Sequence, residues 1–189
     1  GRIPSRPRVL IYGPEGVGKT TLVADAEEAI FFDLEKGTKY LEVDRYLFHP
    51  EDGENGYSPR TYDDVLKALD VLLTAEHAYK NLVIDTADRL ESLLWKFVLG
   101  RDTKRAKKGE VYESIEDYGF GKGYQIALDE WRNLAEKLER LHATRGMGIV
   151  FVGHTIVRTW KNPEGEDFDR FQLRVHDKTA GFLKEWVDV

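Results

Sequence analysis

The most specific chemistry in the chain lies in eight consecutive residues, Gly13-Pro14-Glu15-Gly16-Val17-Gly18-Lys19-Thr20. Their spacing fits G-x-x-x-x-G-K-[ST], a P-loop, whose glycines let backbone N–H groups turn inward around a phosphate chain. Lys19 is expected to reach the β- and γ-phosphates, and the Thr20 hydroxyl to ligate Mg²⁺. Thr21 follows as an expected α-phosphate contact. The apolar run Val9-Leu10-Ile11-Tyr12 leads into the loop and Thr21–Ala26 leaves it as a helix. That is the strand–loop–helix context the motif requires, with the helix's positive end aimed at the same phosphates. Residues 13–21 are therefore read as the site of a nucleoside triphosphate, with Mg²⁺ as its expected metal.

Three more polar residues stand at the ends of apolar runs. Asp85 closes Asn81-Leu82-Val83-Ile84 in the manner of a Walker B aspartate, and is read as the second Mg²⁺ residue beside Thr20. Asp85-Thr86 also fits a helix N-cap. Glu35 follows the run Ile30-Phe31-Phe32-Asp33 and is the candidate that orients or deprotonates the attacking water. Asp33 is the alternative acid. His154 ends Gly148–Gly153 and is placed to sense the γ-phosphate. The expected catalytic set is Lys19, Glu35, Asp85 and His154. The other histidines lack ligand spacing, and no metal site beyond Mg²⁺ is read.

These positions need a sheet whose strand ends meet along one edge. Strands are expected at about Arg8–Tyr12, Ile30–Asp33, Asn81–Thr86 and Gly148–His154. A first helix is expected to reach about Ala29. A capping box at Thr61–Asp64 opens a second, with Val65, Leu69, Leu72 and Leu73 on one stripe. A third carries Leu90, Leu93, Leu94, Phe97 and Val98 and is expected to stop at Gly100. A long fourth carries Ala127, Trp131, Leu134, Leu138 and Leu141. Residues 49–60 and 100–123 read as loops. Ile156–Trp160 and Phe168–His176 read as two arms of a hairpin around Asn162-Pro163-Glu164-Gly165, and Thr179–Val187 as a last short helix. Alternating strands and helices predict an α/β fold, three-layer and doubly wound on a mainly parallel sheet, with a C-terminal β-hairpin. Ligands of such sheets sit beyond the C-terminal ends of the strands.

The bulk composition agrees with a globular α/β domain over residues 1–189, of ordinary hydrophobic (41%) and charged (33%) content. The chain has no cysteine, which excludes disulfides and thiolate metal sites and permits a cytoplasmic setting. No apolar stretch nears the roughly 20 residues that span a bilayer. The formal net charge of −6 argues against bulk attraction to nucleic acid, so any such contact must be local. Two basic clusters offer one: Arg101, Lys104, Arg105, Lys107 and Lys108 after the third strand, and Arg158, Trp160 and Lys161, with Arg170 and Arg174, on the hairpin. Cations beside Trp160 suit phosphates and a stacked base. One of them could instead reach a neighbour's γ-phosphate.

The layout resembles the RecA-type ATPase core from about residue 8 to 160. In that family the second strand ends in an acid within a D-x-E-like sequence, as in Asp33-Leu34-Glu35. Its Walker B Asp is followed by a small hydroxyl residue, as in Asp85-Thr86. Its next core strand ends in a polar sensor, usually Gln, where this chain has His154. Asp33-Leu34-Glu35-Lys36-Gly37, with Tyr118-Gly119-Phe120-Gly121-Lys122-Gly123-Tyr124 before a long helix, is similar to a narrower group. Those are small phage-borne RecA-like ATPases linked to single-strand annealing and recombination. The resemblance implies ATP hydrolysis, single-stranded DNA as partner, and a homo-oligomeric ring or filament. The family's core continues with a strand after the final helix, so a C-terminal truncation is expected. An ATP-controlled switch on a protein partner, or a P-loop small-molecule kinase, are the competing readings. The lack of an N-K-x-D string argues against guanine recognition.

Overall fold

The apolar runs that precede the polar residues become strands of one sheet. In the computed structural model, which describes residues 6–105 and 111–189, these are β1 (Arg8–Gly13), β2 (Ala29–Asp33), β4 (Asn81–Asp85) and β5 (Gly148–Trp160). A two-residue strand, β3 (Asp44–Arg45), lies at the edge, and the sheet order is β1-β5-β4-β2-β3. All these pairings are parallel. A last strand, β6 (Phe168–Leu173), pairs antiparallel with the outer half of β5, from Thr155 opposite Leu173 to Trp160 opposite Phe168.

Side chains of each strand alternate between two cores, as the pleat dictates. Ile30, Phe32, Leu82, Ile84, Ile149 and Phe151 face a large core. It is built with α2 (Tyr62–Thr74), α3 (Ala87–Arg105), α4 (Lys122–Arg145) and α5 (Asp177–Trp186). Ala29, Phe31, Val83, Val150 and Val152 face a thinner one, covered by Val23 of α1 (Lys19–Ala24). Helices on both faces of a mainly parallel sheet make the expected three-layer α/β fold. Burial on both faces is why these strands read as continuous apolar runs.

Local signals explain most boundaries. The Thr61 hydroxyl accepts from the Asp64 N–H (3.2 Å) while the Asp64 carboxylate accepts from the Thr61 N–H (2.9 Å), the expected capping box. Four boundaries differ from expectation. The first helix ends at Ala24, because Glu28 takes a positive φ of 45° and Ala29 already belongs to β2. Within 49–60, Pro50–Tyr57 coils into 3₁₀ turns. The third helix does not stop at Gly100 but continues to Arg105. A glycine costs about 1 kcal/mol inside a helix, and tertiary contacts offset it here. Arg101 pairs with Glu130 of α4 (3.1 Å), and the Asp102 carboxylate accepts from the Tyr118 hydroxyl (2.9 Å). Finally, the first arm of the hairpin is no separate element: β5 runs unbroken from the sheet into it.

The stretch Tyr118–Tyr124 turns sharply into α4. Gly119, Phe120 and Gly121 all have positive φ (69°, 49° and 71°), and the Phe120 ring is fully exposed. At the far edge, Asp188 and Val189 run beside β1, with Asp188 N–H donating to Arg8 O (2.8 Å) and Leu10 N–H to Val189 O (2.9 Å). Arg8 holds the Asp188 carboxylate through Nε (3.2 Å), a terminal guanidinium nitrogen (2.8 Å) and its backbone N–H (2.9 Å).

Those bonds depress the Asp188 carboxyl to about 2, from 3.8. A depressed acid adds stability above its unfolded value and loses it as pH falls through the folded one. Asp188→Asn should therefore lower Tm at pH 7 by about 2 °C, an exposed-pair effect of under about 1 kcal/mol. The gap between variant and parent should close between about pH 4 and pH 2 in thermal scans.

Candidate functional site

Sheet register brings the polar strand ends together. Asp33 of β2 stands opposite Asp85 of β4, and Gly13 of β1 opposite His154 of β5. The loop after β1 holds Gly16 and Gly18 at φ of 75° and 88°, a region that favours glycine. Gly18 caps α1 without a side-chain hydrogen bond, and Gly18, Lys19, Thr20 and Thr21 at the start of the helix line the cleft above the loop. That cleft, of about 280 Å³, is lined by Gly16, Gly18, Lys19, Thr20, Thr21, Glu35, Gly37, Asp85, Thr86 and His154. Lys19, Thr20, Glu35, Asp85 and His154, expected from the sequence to work together, thus face one space. Lys19 is buried, its ammonium donating to the carbonyls of Gly13 (3.0 Å) and Pro14 (2.8 Å).

Each carboxylate has a different set of partners. The Thr20 hydroxyl donates to Asp85 (2.8 Å). Asp33 accepts from Gly37 N–H (2.9 Å), Thr38 N–H (3.1 Å) and the Thr38 hydroxyl (2.5 Å), so it shapes the turn that carries Glu35. Glu35 accepts from the Thr86 hydroxyl (2.8 Å) and lies 3.9 Å from His154 Nε2. The peptide bond Asp85–Thr86 is cis. Thr86, rather than Asp85, opens α3: its carbonyl accepts from Leu90 N–H (3.0 Å) and its hydroxyl from Arg89 N–H (3.4 Å).

His154 is fixed by a residue whose part sequence reading does not reveal. Asp88 accepts from the His154 backbone N–H (3.1 Å) and lies 3.1 Å from ring Nδ1. Burial works to raise the Asp88 carboxyl, but the bonds from His154 and the charge of Arg174 outweigh it and hold it below the ordinary value. An ionised Asp88 fixes the proton on Nδ1 and turns Nε2 toward Glu35. Arg174 bridges Asp88 (3.3 Å) to Glu15 of the phosphate loop (3.1 Å). Polar contacts thus run Glu15–Arg174–Asp88–His154, with the Thr86-bound Glu35 carboxylate 3.9 Å beyond the ring. Asp88 reads in sequence as an ordinary first-turn acid of a helix, and only its place one turn past Asp85 hints at more.

The residues fit a metal-bound nucleotide. Burial, then the nearby charges of Asp33 and Glu35, push the Asp85 carboxyl up to about 6, against the opposing Thr20 hydrogen bond. A buried carboxylate that resists ionisation, as Asp85 does, is relieved by a divalent cation, and hydroxyl plus carboxylate oxygens are the donors Mg²⁺ prefers. The positive-φ glycines, the free amide groups and the stored ammonium match a phosphate chain.

Of the expected nucleic-acid cations, Arg101, Arg158 and Lys161 are in ion pairs. Arg101 pairs with Asp102 (2.8 Å) and Glu130 (3.1 Å), Lys161 with Asp167 (2.5 Å), and Arg158 with Asp177. Trp160 is half-exposed, with the Arg170 guanidinium 4.7 Å from its ring centre. The backbone of Lys104 and Arg105 lies in α3, while Lys107 and Lys108 fall outside the described residues. No helix among the described residues is long and apolar enough to cross a membrane.

A parallel sheet with its phosphate loop after β1, a buried acid ending β4 and helices on both faces defines the class: a P-loop nucleotide-binding protein. More particularly, a family model described as "AAA domain" matches residues 5–189, and the chain belongs to that family, which implies nucleotide-binding ATPases. Comparison with curated proteins finds no match.

The raised Asp85 carboxyl penalises the folded state once it ionises. The penalty is absent below about pH 4 and full above about pH 6, reaching about 3 kcal/mol. Asp85→Asn keeps an acceptor for Thr20 and removes that charge. It should raise the Tm of the ligand-free protein by several degrees at pH 7 and leave it unchanged at pH 4. The same variant should lose the Mg²⁺ dependence of nucleotide binding in calorimetry.

Proposed function

We propose that this protein binds ATP with Mg²⁺ and hydrolyses it, and that it acts with single-stranded DNA in annealing or recombination. The observation that carries the ATPase reading is the placement of Glu35. Its carboxylate is held by Thr86 and faces His154, across the cleft from Lys19, Thr20 and Asp85. In the proposed reaction Lys19 leaves the Gly13 and Pro14 carbonyls for the β- and γ-phosphates. Glu35 orients a water for in-line attack and takes its proton. His154, held by Asp88, meets the γ-phosphate or the departing product. Thr20 and Asp85 hold Mg²⁺, which when bound neutralises charge on the phosphate oxygens.

The DNA part of the reading rests on the resemblance of Asp33–Gly37 and Tyr118–Tyr124 to annealing-type ATPases, and on the exposed aromatic groups Phe120 and Trp160. A second reading, an ATP-controlled module that docks on protein, is favoured by one feature. Ile156, Trp160 and Phe168 are exposed on one face of the hairpin and Val157 and Phe171 on the other, apolar side chains suited to a protein partner.

ATP hydrolysis with and without single-stranded DNA separates the two, with Lys19→Ala as blank. Stimulation by DNA supports the first reading, and an unchanged low rate the second. Lys19→Ala should abolish turnover and weaken ATP binding. Glu35→Gln should keep binding and slow hydrolysis by at least about 100-fold. Normal hydrolysis by that variant would exclude Glu35 as the base. Asp88→Asn, which releases the His154 ring, should slow turnover about 10- to 100-fold with ATP affinity retained, measured as kcat against Kd.

A further inference from the structure

Beside the nucleotide site lies a second cleft that no expectation covered. It has a volume of about 480 Å³ and is walled by the turn after β2, by Arg45 of β3 and by the 3₁₀ segment Pro50–Tyr57. Its cations are Lys36, Lys39 and Arg45. In a chain of net charge −6, Arg8, Arg101, Arg158, Lys161 and Arg174 sit in ion pairs. The three cations of the cleft form none among the described residues. Two lie against aromatic rings instead. Lys39 Nζ is 5.5 Å from the centre of the Tyr40 ring, itself 89% exposed, and the Arg45 guanidinium is 5.3 Å from that of Tyr57. Of the two acids in the walls, Asp33 is occupied by Gly37 and Thr38, and Glu54 is exposed and pairs with no cation among the described residues.

We propose that this cleft binds the backbone of single-stranded nucleic acid, with Lys36, Lys39 and Arg45 on the phosphates and Tyr40 as a stacking surface for a base. The inference rests on the DNA reading above and gives it an address other than the hairpin. Uncompensated cations track a phosphodiester chain, and an exposed ring offers a sequence-tolerant platform for a base. An acidic peptide would use the cations but leave the ring idle. The cleft and the catalytic site share one short turn. Glu35 points to Thr86 on one side, and Lys36, next in the chain with a positive φ of 60°, lines the cleft on the other. Ordering of Lys36 by a strand therefore acts directly on the turn that carries Glu35, a route from DNA binding to hydrolysis.

The test is fluorescence anisotropy of a labelled oligothymidine with the chain and its variants across a salt series. Lys39→Ala combined with Arg45→Gln should weaken binding roughly 10- to 30-fold near 0.1 M salt and flatten the salt slope by about 1.4, two phosphate contacts on a single strand. Lys39→Glu alone, at an exposed position that cannot disturb folding, should weaken it at least as much as removing one contact. Undiminished binding by these variants, with the loss appearing instead in Trp160→Ala/Lys161→Ala, overturns the cleft and leaves the DNA reading standing. A matching loss of ATP affinity in Lys39→Glu also overturns it, since the cleft would then belong to the nucleotide pocket. Failure of the unaltered chain to bind oligothymidine overturns the DNA reading itself and the cleft with it.

Discussion

Three carboxylates meet at one end of the sheet, and the arrangement around them follows from keeping like charges close in a partly buried place. Asp33 is satisfied by two amides and a hydroxyl, Glu35 by the Thr86 hydroxyl, and Asp85 by the Thr20 hydroxyl. The first set leaves little unmet capacity; the other two supply one neutral donor each. Asp85 is the least compensated, as its upward shift records. A protein tolerates such a deficit where a cation supplies the balance. The deficit is created by strand register: Asp33 and Asp85 are paired neighbours, and a slip of one residue would turn one of them to the other face.

Much of the architecture was legible because its causes are local. The P-loop, the Thr61–Asp64 capping box and the apolar strands are written in consecutive residues. The sheet's two-sided burial is also readable from runs such as Ile30-Phe31-Phe32, which show no polar alternation. The phosphate-loop residues and the acids at strand ends could be placed on one edge from topology alone. The rest depends on contacts between distant segments. His154 and Asp88 lie 66 residues apart, and Arg174 and Glu15 lie 159 apart. No spacing rule links them. Gly100 illustrates the reverse error: local propensity favoured a helix end, and pairing of the next turn with α4 overrode it.

Charge tells a related story. Basic residues crowded in sequence at 101–108 and on the hairpin look like a nucleic-acid surface. Folding brings Asp102, Glu130, Asp167 and Asp177 against Arg101, Lys161 and Arg158. Lys36, Lys39 and Arg45 look unremarkable in sequence because acidic residues surround them. In space they share one cleft without a salt bridge among the described residues. Net charge over a stretch of sequence is thus a poor guide to where cations stay available.

The unbroken course of β5 has a mechanical meaning. Its inner half is clamped between β1 and β4, while its outer half pairs with β6, whose last residue, Leu173, is buried in the large core. His154 sits close to where the clamp ends. From there to Trp160 the strand extends about 20 Å, at about 3.3 Å per residue. Such a ribbon is a cantilever with its fulcrum beside His154, at the edge of the phosphate-loop cleft. A tilt of a few degrees at the root, too small to disturb the core, becomes a sweep of about an ångström or more at the tip. Chemistry at the sheet edge would thereby be read out as displacement of an exposed aromatic surface far from it.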